Sequence, residues 1–393
     1  MNMYFEFQTP PRLLSGAFAL ENIAQELKLL GAGRPLLVSD AGLLKIGATG
    51  LCERALSEQG MPPLEIWTDV PPDSSVALVG RIAARYRELS CDSVVAVGGG
   101  SVLDTAKGVC MVISQDVQDL SELMGCEVMP RGRRVPFIAV PTTAGTGSEA
   151  TAVAVVRDDG RSIKMEFISG NLLPDVAVLD PRMTRTLPPR ITASTGMDAL
   201  CHAVEAFSCL QHNPVSDAYA QGAISMITRS IEPAASGKGG DEARMEMATA
   251  AMMAGAAFSN SMVGLVHAIG HALGGVCRVP HGDAMAILLP HCMRFNLNVC
   301  RARYEELLLF LCGPEAYVKT PAAQRAQASI ACIEELLGRL NGLCGLPVRL
   351  RDTKAQETDF ARVAEAAVND GAMIVNPREA TREDVVEILK AAW

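Results

Sequence analysis

The sequence lacks several features that define common classes of protein. None of its uninterrupted apolar runs is long enough to span a bilayer, although hydrophobic residues make up 49% of the 393 residues. It has no excess of positive charge, because 35 Lys and Arg stand against 44 Asp and Glu. We therefore expect the chain to bind neither nucleic acid nor an anionic membrane surface. It has no internal repeat and no low-complexity segment, and its length fits two domains.

Cysteine pairs with the spacing of metal-binding or redox motifs are also missing. The twelve cysteines are scattered from Cys52 to Cys344, and no two of them form a CxxC motif. The N-terminal residues show no basic segment followed by an apolar one, so we expect no signal peptide. In a chain of this kind the cysteines are expected to be reduced and mostly buried, and the protein to be cytoplasmic.

Histidine is scarce and unevenly distributed, since five of the six histidines fall in two short segments. The first segment reads STGMDALCHAVEAF. Its apolar spacing predicts a buried helix that starts near Gly196 and is capped by Ser194 and Thr195. Asp198 and His202 then lie four residues apart on one face of that helix. Taken alone, the two residues are equally well interpreted as a hydrogen-bonded pair in the core.

The second segment, from Ser261, reads SMVGLVHAIGHALGGVCRVPHGDAMAILLPH. His267 and His271 are four residues apart on an apolar helix, and His281 follows after a Gly-Gly break and a proline. One carboxylate and three imidazoles from the two segments suit a divalent transition metal, namely Asp198, His202, His267 and His281. A set with His271 in place of His281 is also possible on spacing, because His267 and His271 share a helix face. With His281 as the ligand, His271 is a candidate proton carrier.

The first half of the chain alternates short apolar runs with helical stretches, which is typical of a parallel α/β sheet. Strands are predicted at 35–39, 64–67, 136–140, 152–156 and 176–179, and a helix at 75–89. From Ser93 the chain reads SVVAVGGGSVLDTAKGVCMV, in which a strand runs through three glycines directly into a helix. Such a junction offers free backbone N–H groups and the positive end of a helix dipole to a phosphate.

A second loop of similar character follows the predicted strand at 136–140. It reads PTTAGTGSEAT and combines hydroxyl side chains with glycines. Two such loops after parallel strands are expected to line one crevice at the carboxyl edge of the sheet, where a dinucleotide binds. Asp40, at the end of an earlier strand, is placed to accept a hydrogen bond from a ribose, and Lys164 is a further candidate for this crevice.

After Asp180-Pro181 the pattern changes to long helical periodicity. Helices are predicted at 196–210, 214–231, 241–258, 261–275, 283–312, 322–342 and 381–392. We therefore predict an α/β dinucleotide-binding domain with a parallel, Rossmann-like sheet, residues 1–186, followed by an all-α domain that holds the metal, residues 187–393. A metal that faces a dinucleotide suggests hydride exchange between a nicotinamide and the carbon of an alcohol or carbonyl compound.

Together the motifs resemble those of the iron-containing (group III) alcohol dehydrogenase family. The similar blocks are, in order, GGGSVLDTAK, PTTAGTGSEAT, DPRMTRTLPPRITASTGMDALCHAVEAF, HAIGHALGGVCRVPHGDAMAILLP and NPREAT. The C-terminal NPREATREDVVEILKAAW is most similar to the lactaldehyde reductase (propanediol oxidoreductase) branch. The resemblance implies an NAD-dependent alcohol dehydrogenase or aldehyde reductase with Fe(II), or alternatively Zn(II). It further implies a homodimer that acts on small primary alcohols, diols or aldehydes.

The resemblance also implies a role for each candidate residue. The residues that match the metal ligands are Asp198, His202, His267 and His281, and His271 matches a histidine thought to help in proton transfer. Cofactor positions are Asp40 at the adenine ribose, Gly98, Gly99, Ser101 and Asp104 in the pyrophosphate loop, and Thr142, Thr143, Ser148 and Lys164 along the cleft. Phe258, Val153 and Ala372 fall near the substrate, and the last two differ from the polar residue and the cysteine of the lactaldehyde branch.

Two other enzyme functions remain compatible with this fold. One is a lyase- or synthase-type reaction related to that of dehydroquinate synthase, and the other is a polyol dehydrogenase related to glycerol dehydrogenase, both with zinc. The apolar helices beside the proposed metal argue against the polyanionic substrates of the synthase. A protein that only binds metal is disfavoured, because metal storage needs no dinucleotide crevice.

Overall fold

The computed structural model describes residues 4–123, 134–158 and 163–393, with the side chains of residues 163 and 164 outside that description. The chain divides into two compact units. Gln8–Thr186 forms an α/β unit, and Leu187–Trp393, together with the N-terminal residues as far as Phe7, forms a helical unit. The expected fold class, a parallel α/β part followed by an all-α part, is confirmed.

Six parallel strands form the main sheet of the α/β unit, in the order β1-β8-β5-β4-β2-β3, and β6 and β7 form a separate antiparallel pair. The strands are β1 (Arg12–Ser15), β2 (Pro35–Val38), β3 (Glu65–Trp67), β4 (Ser93–Gly98), β5 (Phe137–Pro141), β6 (Val153–Asp158), β7 (Ile163–Ile168) and β8 (Val176–Leu179). The helices are α1 (Ile23–Leu29), α2 (Ala41–Lys45), α3 (Ala48–Ser57), α4 (Val76–Glu88), α5 (Gly100–Ser114) and α6 (Pro181–Thr184).

The central strands are buried on both faces, which explains their continuous apolar runs in the sequence. Every residue of β2, β4, β5 and β8 is buried. Because side chains alternate along a strand, Leu36 and Val94 enter one apolar cluster while Leu37 and Val95 enter another. Helices α4 and α5 contribute to the first cluster, and α1 and α3 to the second.

The strand order places three of the predicted functional loops side by side. β2, β4 and β5 are neighbours, with Val38 opposite Ala96 and Gly98 opposite Pro141. The three strands are parallel, so the chain segments that follow them leave the sheet at the same edge. Asp40, the glycine loop and the hydroxyl-rich loop therefore begin from adjacent strand ends.

Strands β1 and β7 are not predicted from the sequence, and β6 was predicted in the wrong sheet. β1 is only half-buried at the sheet edge beside β8, and its residues show no buried apolar run. β6 was expected to extend the parallel sheet, but this is wrong, because it pairs antiparallel with β7 from Val153 opposite Ile168 onward. Neither pairing has a local signal as strong as the buried runs of the central strands.

The helical unit contains eight helices within the described residues: α7 (Pro189–Ser208), α8 (Pro214–Ser236), α9 (Gly240–Phe258), α10 (Leu265–Cys277), α11 (His281–Lys319), α12 (Ala322–Cys344), α13 (Phe360–Ala367) and α14 (Arg382–Ala391). The prediction that the first of them starts near Gly196 is wrong. α7 begins at Pro189, since proline is well suited to the first turn of a helix. Thr195 therefore lies inside α7, where its hydroxyl donates to the carbonyl of Ile191.

The cysteines largely behave as expected. Within the described part of the chain nine are free thiols, and eight of these are buried. Cys312 and Cys332 are joined in a disulfide between α11 and α12, so the expectation of reduced thiols is wrong at this pair. The packing of the two helices brings the pair together, which their separation in sequence does not reveal. Among the described residues no helix combines the length and the apolar character needed to cross a bilayer.

Candidate metal centre and nucleotide loops

Helix α7 carries the first two candidate metal ligands into the interior of the helical unit. Asp198 and His202 are one turn apart, and their residues are 2% and 5% exposed. Sixteen of the twenty residues of α7 are buried, so its polar side chains cannot reach water and must find partners inside the protein.

The other two candidate ligands lie near the beginnings of two further helices. His267 is in the first turn of α10, and His281 is the first residue of α11. A glycine follows His281 where α11 meets α7: a Cβ on Gly282 would lie 2.5 Å from the carbonyl oxygen of Ser194. The missing side chain therefore allows α11 to start against α7, which brings His281 close to Asp198.

The four side chains converge on one oxygen atom. Oδ1 of Asp198 lies 3.2 Å from Nε2 of His281, 3.8 Å from Nε2 of His267 and 3.9 Å from Nδ1 of His202. The ligand atoms of Asp198, His267 and His281 all lie within 4.8 Å of one another. Two ligands that each lie about 2.1 Å from one ion at a tetrahedral angle are about 3.4 Å apart, so the separations among Asp198, His267 and His281 fit a shared ion. His202 lies beside this group of three and is not part of it.

Three of the converging atoms are buried and have no hydrogen-bond partner among the described residues. They are Oδ1 of Asp198, Nδ1 of His202 and Nε2 of His267. A buried polar atom without a partner costs about 1–3 kcal/mol, so three at one point indicate a group that is bound there. A carboxylate oxygen and imidazole nitrogens are donors that suit Fe(II) or Zn(II).

The residues of this cluster differ in protonation. Burial would lower the pKa of His267, but its interactions with Asp198 and Glu205 raise this pKa to about 9, so a cation that binds at His267 displaces a proton. Burial lowers the pKa of His202 to about 3, so its ring is neutral and has a free lone pair at neutral pH. Burial alone would raise the pKa of Asp198, but the adjacent His202 and His281 hold this pKa well below its usual range. The aspartate is therefore ionised and supplies the negative charge that a divalent cation needs.

Glu205, which sequence reasoning missed, orients one of these histidines. It lies on α7 three residues after His202 and is 7% exposed. Its Oε2 accepts a hydrogen bond of 2.5 Å from Nδ1 of His267, and its Oε1 accepts one of 2.7 Å from the backbone N–H of Val266. The only signal in the sequence was an acidic residue at a position of α7 that the apolar pattern marks as buried.

His271 lies on α10 one turn beyond His267 and has a different partner. Its Nδ1 is 2.9 Å from Oδ2 of Asp370, and its ring stacks on that of His281 with centroids 5.6 Å apart. Asp370 also caps the next turn by accepting from the backbone N–H of Ala372 at 2.9 Å. Because the carboxylate occupies Nδ1, the second nitrogen of His271 is the one available for exchanging a proton.

The three candidate substrate-pocket residues are divided between the two units of the chain. The ring of Phe258 stacks on His202 with centroids 4.3 Å apart, and Ala372 is buried beside Asp370. Val153, in the α/β unit, is half-buried at the start of β6, where its carbonyl accepts from Nζ of Lys107. Their place in a substrate pocket stays a prediction.

The glycine loop of the α/β unit leaves no room for a side chain at Gly98 and little room at Gly99. A Cβ on Gly98 would lie 2.4 Å from Cβ of Val102, and one on Gly99 would lie 3.4 Å from Oγ1 of Thr143. The carbonyl of Gly98 accepts from the backbone N–H of Thr142 at 3.0 Å, which links the glycine loop to the hydroxyl-rich loop. The first turn of α5 thus begins beside both loops, as an anion site requires.

Two predicted cofactor residues bind each other. The hydroxyl of Ser148 donates to Oδ1 of Asp104 at 2.7 Å, and Oδ2 of Asp104 accepts from the backbone N–H of Val155 at 3.1 Å. Asp104, on α5, therefore ties the hydroxyl-rich loop and β6 to the helix of the glycine loop. Ser101, one turn earlier, accepts from the backbone N–H of Asp73 at 3.3 Å.

Lys107 lies on the next turn of α5. Its side chain is fully buried, and Nζ donates to Oγ1 and the carbonyl of Thr151 at 2.8 and 2.9 Å and to the carbonyl of Val153 at 2.7 Å. Glu149 is 1% exposed, and its Oε2 has no partner among the described residues. Burial lowers the pKa of Lys107 to about 8 and raises that of Glu149 to about 7.

Of the two remaining cofactor candidates, Asp40 has a described side chain and Lys164 does not. Asp40 is the N-cap of α2, where Oδ1 accepts from the backbone N–H of Leu43 at 2.9 Å. Lys164 lies on β7 opposite Arg157, and its side chain is outside the described residues. The capping bond uses one oxygen of Asp40, so capping and ribose binding are compatible roles.

Both halves of the chain match models of one protein family. The model described as "Iron-containing alcohol dehydrogenase" matches residues 10–181. The model described as "Fe-containing alcohol dehydrogenase family, C-terminal" matches residues 192–393.

Named relatives and solved structures are similar over almost the entire chain. A protein of Salmonella typhimurium named probable alcohol dehydrogenase EutG is 39% identical over 387 residues, which cover 98% of this chain and 94% of that protein. The 1,3-propanediol dehydrogenase of Klebsiella pneumoniae is 36% identical over 392 residues, or 99% of each chain. The crystal structure of a 1,3-propanediol oxidoreductase superposes with a TM-score of 0.93 at 36% identity, covering 99% of this chain and 100% of that one.

Proposed function

Because the chain belongs to the iron-containing alcohol dehydrogenase family and is a metal-dependent alcohol dehydrogenase, we propose that it interconverts small primary alcohols or diols and their aldehydes with NAD(H). The predicted relationship to the propanediol oxidoreductase branch is confirmed. The lyase- or synthase-type and glycerol dehydrogenase-like alternatives are not favoured, since the relatives named above are alcohol and propanediol dehydrogenases.

The observation that carries this proposal is the cluster of unpartnered buried atoms around Asp198. We assign Asp198, His202, His267 and His281 as the residues that hold the metal, with Fe(II) as the metal and Zn(II) as the alternative. When bound, the metal supplies a Lewis acid that polarises the oxygen of the substrate. The choice of His281 over His271 is supported by the 3.2 Å separation of His281 from Asp198 and by the hydrogen bond between His271 and Asp370.

His271 is the residue that we assign to proton transfer. Its hydrogen bond to Asp370 occupies Nδ1, and its side chain is 32% exposed. In alcohol oxidation Nε2 would take the proton of the substrate hydroxyl and pass it to solvent. In aldehyde reduction it would take a proton from solvent and give it to the oxygen of the product. A histidine suits this role because its ordinary pKa lies close to neutral pH.

The α/β unit holds the cofactor in this proposal, and NAD(H) supplies or accepts the hydride when bound. The backbone at Gly98, Gly99 and Ser101 would receive the pyrophosphate, and Thr142, Thr143 and Lys164 would line the cleft. Asp40 would accept from the adenine ribose. The bonded pair of Asp104 and Ser148 would hold the two loops in register, since each of its oxygens already has a partner within the protein.

We further propose that the enzyme accepts a broad range of small, uncharged substrates. Phe258, Val153 and Ala372 have no charged or amide group that could bind an ionic substrate, and apolar walls discriminate by only about 1–3 kcal/mol per methylene. We therefore expect broad activity on short unbranched alcohols and diols, without preference for a charged substrate. We also propose that the protein is cytoplasmic and forms a homodimer. Light scattering after size exclusion would test the homodimer.

One assay tests this function directly. Metal-free protein is mixed anaerobically with NAD and 1-propanol or 1,3-propanediol, and the reduced-nicotinamide absorbance is followed before and after addition of Fe(II) or Zn(II). We expect turnover only after addition of metal, in both the oxidation and the reduction direction. Equal turnover without any metal would contradict the proposal, and so would the absence of turnover with every small alcohol tested.

A further inference from the structure

We propose that Glu205 is a positioning residue of the metal centre, because its carboxylate keeps the proton of His267 on Nδ1 and so reserves the Nε2 lone pair for the metal. This inference rests on the proposed metal centre and adds a residue to it. The side chain of Glu205 has no described hydrogen bond to Asp198 or His202. Its described side-chain hydrogen bonds are both with residues of α10.

The hydrogen bond between Glu205 and His267 has only one direction. An ionised carboxylate accepts and cannot donate, so the hydrogen between Oε2 and Nδ1 belongs to the imidazole. A neutral imidazole with its proton on Nδ1 has its lone pair on Nε2. In this structure that Nε2 is buried, has no hydrogen-bond partner among the described residues, and lies 3.8 Å from Oδ1 of Asp198.

The second oxygen of Glu205 fixes where the carboxylate lies. Oε1 accepts from the backbone N–H of Val266 in the first turn of α10, where free N–H groups and the helix dipole stabilise a negative charge. Gly264 precedes this turn, and a Cβ there would lie 3.2 Å from Oε1 of Glu205. One oxygen of Glu205 thus accepts a hydrogen bond from the first turn of α10, and the other accepts one from the ring of His267.

A second residue at the same helix end provides a matched control. Oδ1 of Asn376 accepts from the backbone N–H of Leu265 at 3.2 Å, next to the N–H that Glu205 binds. Asn376 is also buried, but its described side-chain hydrogen bonds are with Leu265, Asn296 and Arg378 and not with His267. Removing Asn376 weakens the cap of α10 and leaves the imidazole partner in place.

The substitution Glu205→Gln separates the two hydrogen bonds without a change of shape. A glutamine has one oxygen and one NH2 group, so it cannot accept from both Val266 and His267. If its oxygen stays on Val266, its NH2 group faces Nδ1 and forces the proton of His267 onto Nε2, which blocks metal binding. We expect the zinc Kd to rise 10- to 100-fold, as for other residues that orient metal-bound histidines.

The experiment measures zinc binding to metal-free protein by competition with a chromophoric chelator, for the wild type, Glu205→Gln and Asn376→Ala. We expect a 10- to 100-fold weaker Kd for Glu205→Gln and less than about a threefold change for Asn376→Ala. Equal affinity of the wild type and Glu205→Gln would overturn this inference and leave the metal centre intact. An equally large loss in Asn376→Ala would also overturn it, because the effect would then come from the helix end in general.

A measurement on the wild type keeps the inference testable if Glu205→Gln does not fold. Selective 15N labelling of the six histidines reports which ring nitrogen carries the proton in the zinc-loaded protein, and His267 is identified by comparison with His267→Ala. We expect a proton on Nδ1 of His267, and a proton on Nε2 would overturn the inference. A wild type that binds no zinc or iron at all would instead overturn the proposed metal centre itself.

Discussion

Helices α5 and α7 carry similar sequence patterns, but they differ in whether their buried polar side chains have hydrogen-bond partners. Each has an aspartate followed within one turn by a basic side chain: Asp104 and Lys107 on α5, and Asp198 and His202 on α7. On α5 the pattern is satisfied inside the protein, because Asp104 binds Ser148 and Val155 while Lys107 has three acceptors. On α7 both residues have a buried atom without a partner.

This difference separates positioning from ligand binding. A polar side chain whose hydrogen bonds are all made within the protein has a structural role, and it holds neighbouring segments in register. A buried polar atom without a partner points to a group that completes it. We therefore infer that Asp104 and Lys107 hold the candidate cofactor loops in position, whereas Asp198 and the histidines around it bind a cation.

The largest effect should come from removing one of the four residues that we assign as metal ligands. We predict that His202→Ala and His281→Ala each leave less than about one tenth of an ion per chain and reduce kcat by about 10⁴-fold, because several kcal/mol of charge stabilisation are lost. Metal analysis and steady-state kinetics measure the two effects, and circular dichroism checks that the helices remain.

Two other histidines, His271 on α10 and His291 on α11, serve as controls for this prediction. His271→Ala should retain its metal and lose turnover only, and His291→Ala should retain both. Normal metal content in His281→Ala, together with loss of metal in His271→Ala, would show that His271 is the fourth ligand.

The buried lysine of α5 should have the next largest effect, on stability. Lys107→Met leaves the oxygens of Thr151 and Val153 without their donor and Glu149 without a nearby positive charge. We predict a loss of about 3–5 kcal/mol in the free energy of unfolding, because three buried acceptors lose their charged donor. Urea titration measures the loss.

The exposed Lys28, in the same unit, provides the matched control Lys28→Met. Adding Glu149→Gln to Lys107→Met should restore part of the lost stability, since it removes the uncompensated carboxylate. A loss below about 1 kcal/mol in Lys107→Met would mean that the internal pairing on α5 does not hold the loops.

Glu149 should give a smaller, pH-dependent effect. Its pKa in the folded protein is raised from 4.5 to about 7 by burial, so the folded chain keeps this proton to a higher pH than the unfolded chain does. The stability that depends on protonation is complete below pH 4.5 and is lost as the pH rises through about 7. The uncharged Glu149→Gln should therefore match the wild type at low pH and exceed it by about 3 kcal/mol at about pH 8.

Thermal unfolding of both proteins across this pH range tests the prediction, with Tm as the readout. A constant difference in Tm between the two proteins at all pH values would show that Glu149 does not titrate in this window.

The smallest effect should be on cofactor choice. Asp40 is half-buried at the end of β2, and its charge would repel the additional phosphate of NADP by up to about 4 kcal/mol at 4 Å, with solvent reducing this strongly. We predict a preference for NAD(H) and a severalfold gain in kcat/KM with NADP(H) for Asp40→Asn. Asparagine caps a helix as well as aspartate does, so this variant removes the charge and keeps the bond to Leu43.

Asp40→Gly should show the same gain in NADP(H) activity with an additional loss of stability, because it also removes the cap of α2. An unchanged ratio of the two cofactor activities in both variants would place Asp40 away from the ribose.

The sequence revealed those features that local spacing encodes. The four-residue spacing of Asp198 and His202 and that of His267 and His271 placed each pair on one helix face. The runs of apolar residues identified the central strands, whose parallel order then aligned Asp40 with the two loops.

Features that depend on distant partners could not be predicted in this way. Glu205 binds a histidine 62 residues away, and Lys107 binds Thr151 across 44 residues. The disulfide between Cys312 and Cys332 and the antiparallel pairing of β6 with β7 likewise depend on packing. The start of α7 was misjudged because Ser194 and Thr195 resemble caps. The hydroxyl of Ser194 instead donates to Asp283 on α11, and that of Thr195 donates to the carbonyl of Ile191 inside α7.

The most direct test of the metal centre is an anaerobic titration of metal-free protein with Fe(II), carried out on the wild type and on Asp198→Asn. Asparagine keeps the shape of the side chain and removes the charge at which the three histidines converge. We predict about one tightly bound iron per chain in the wild type and none in Asp198→Asn at the same concentrations. Binding of one iron by Asp198→Asn with the affinity of the wild type would contradict the assignment of this cluster as the metal site.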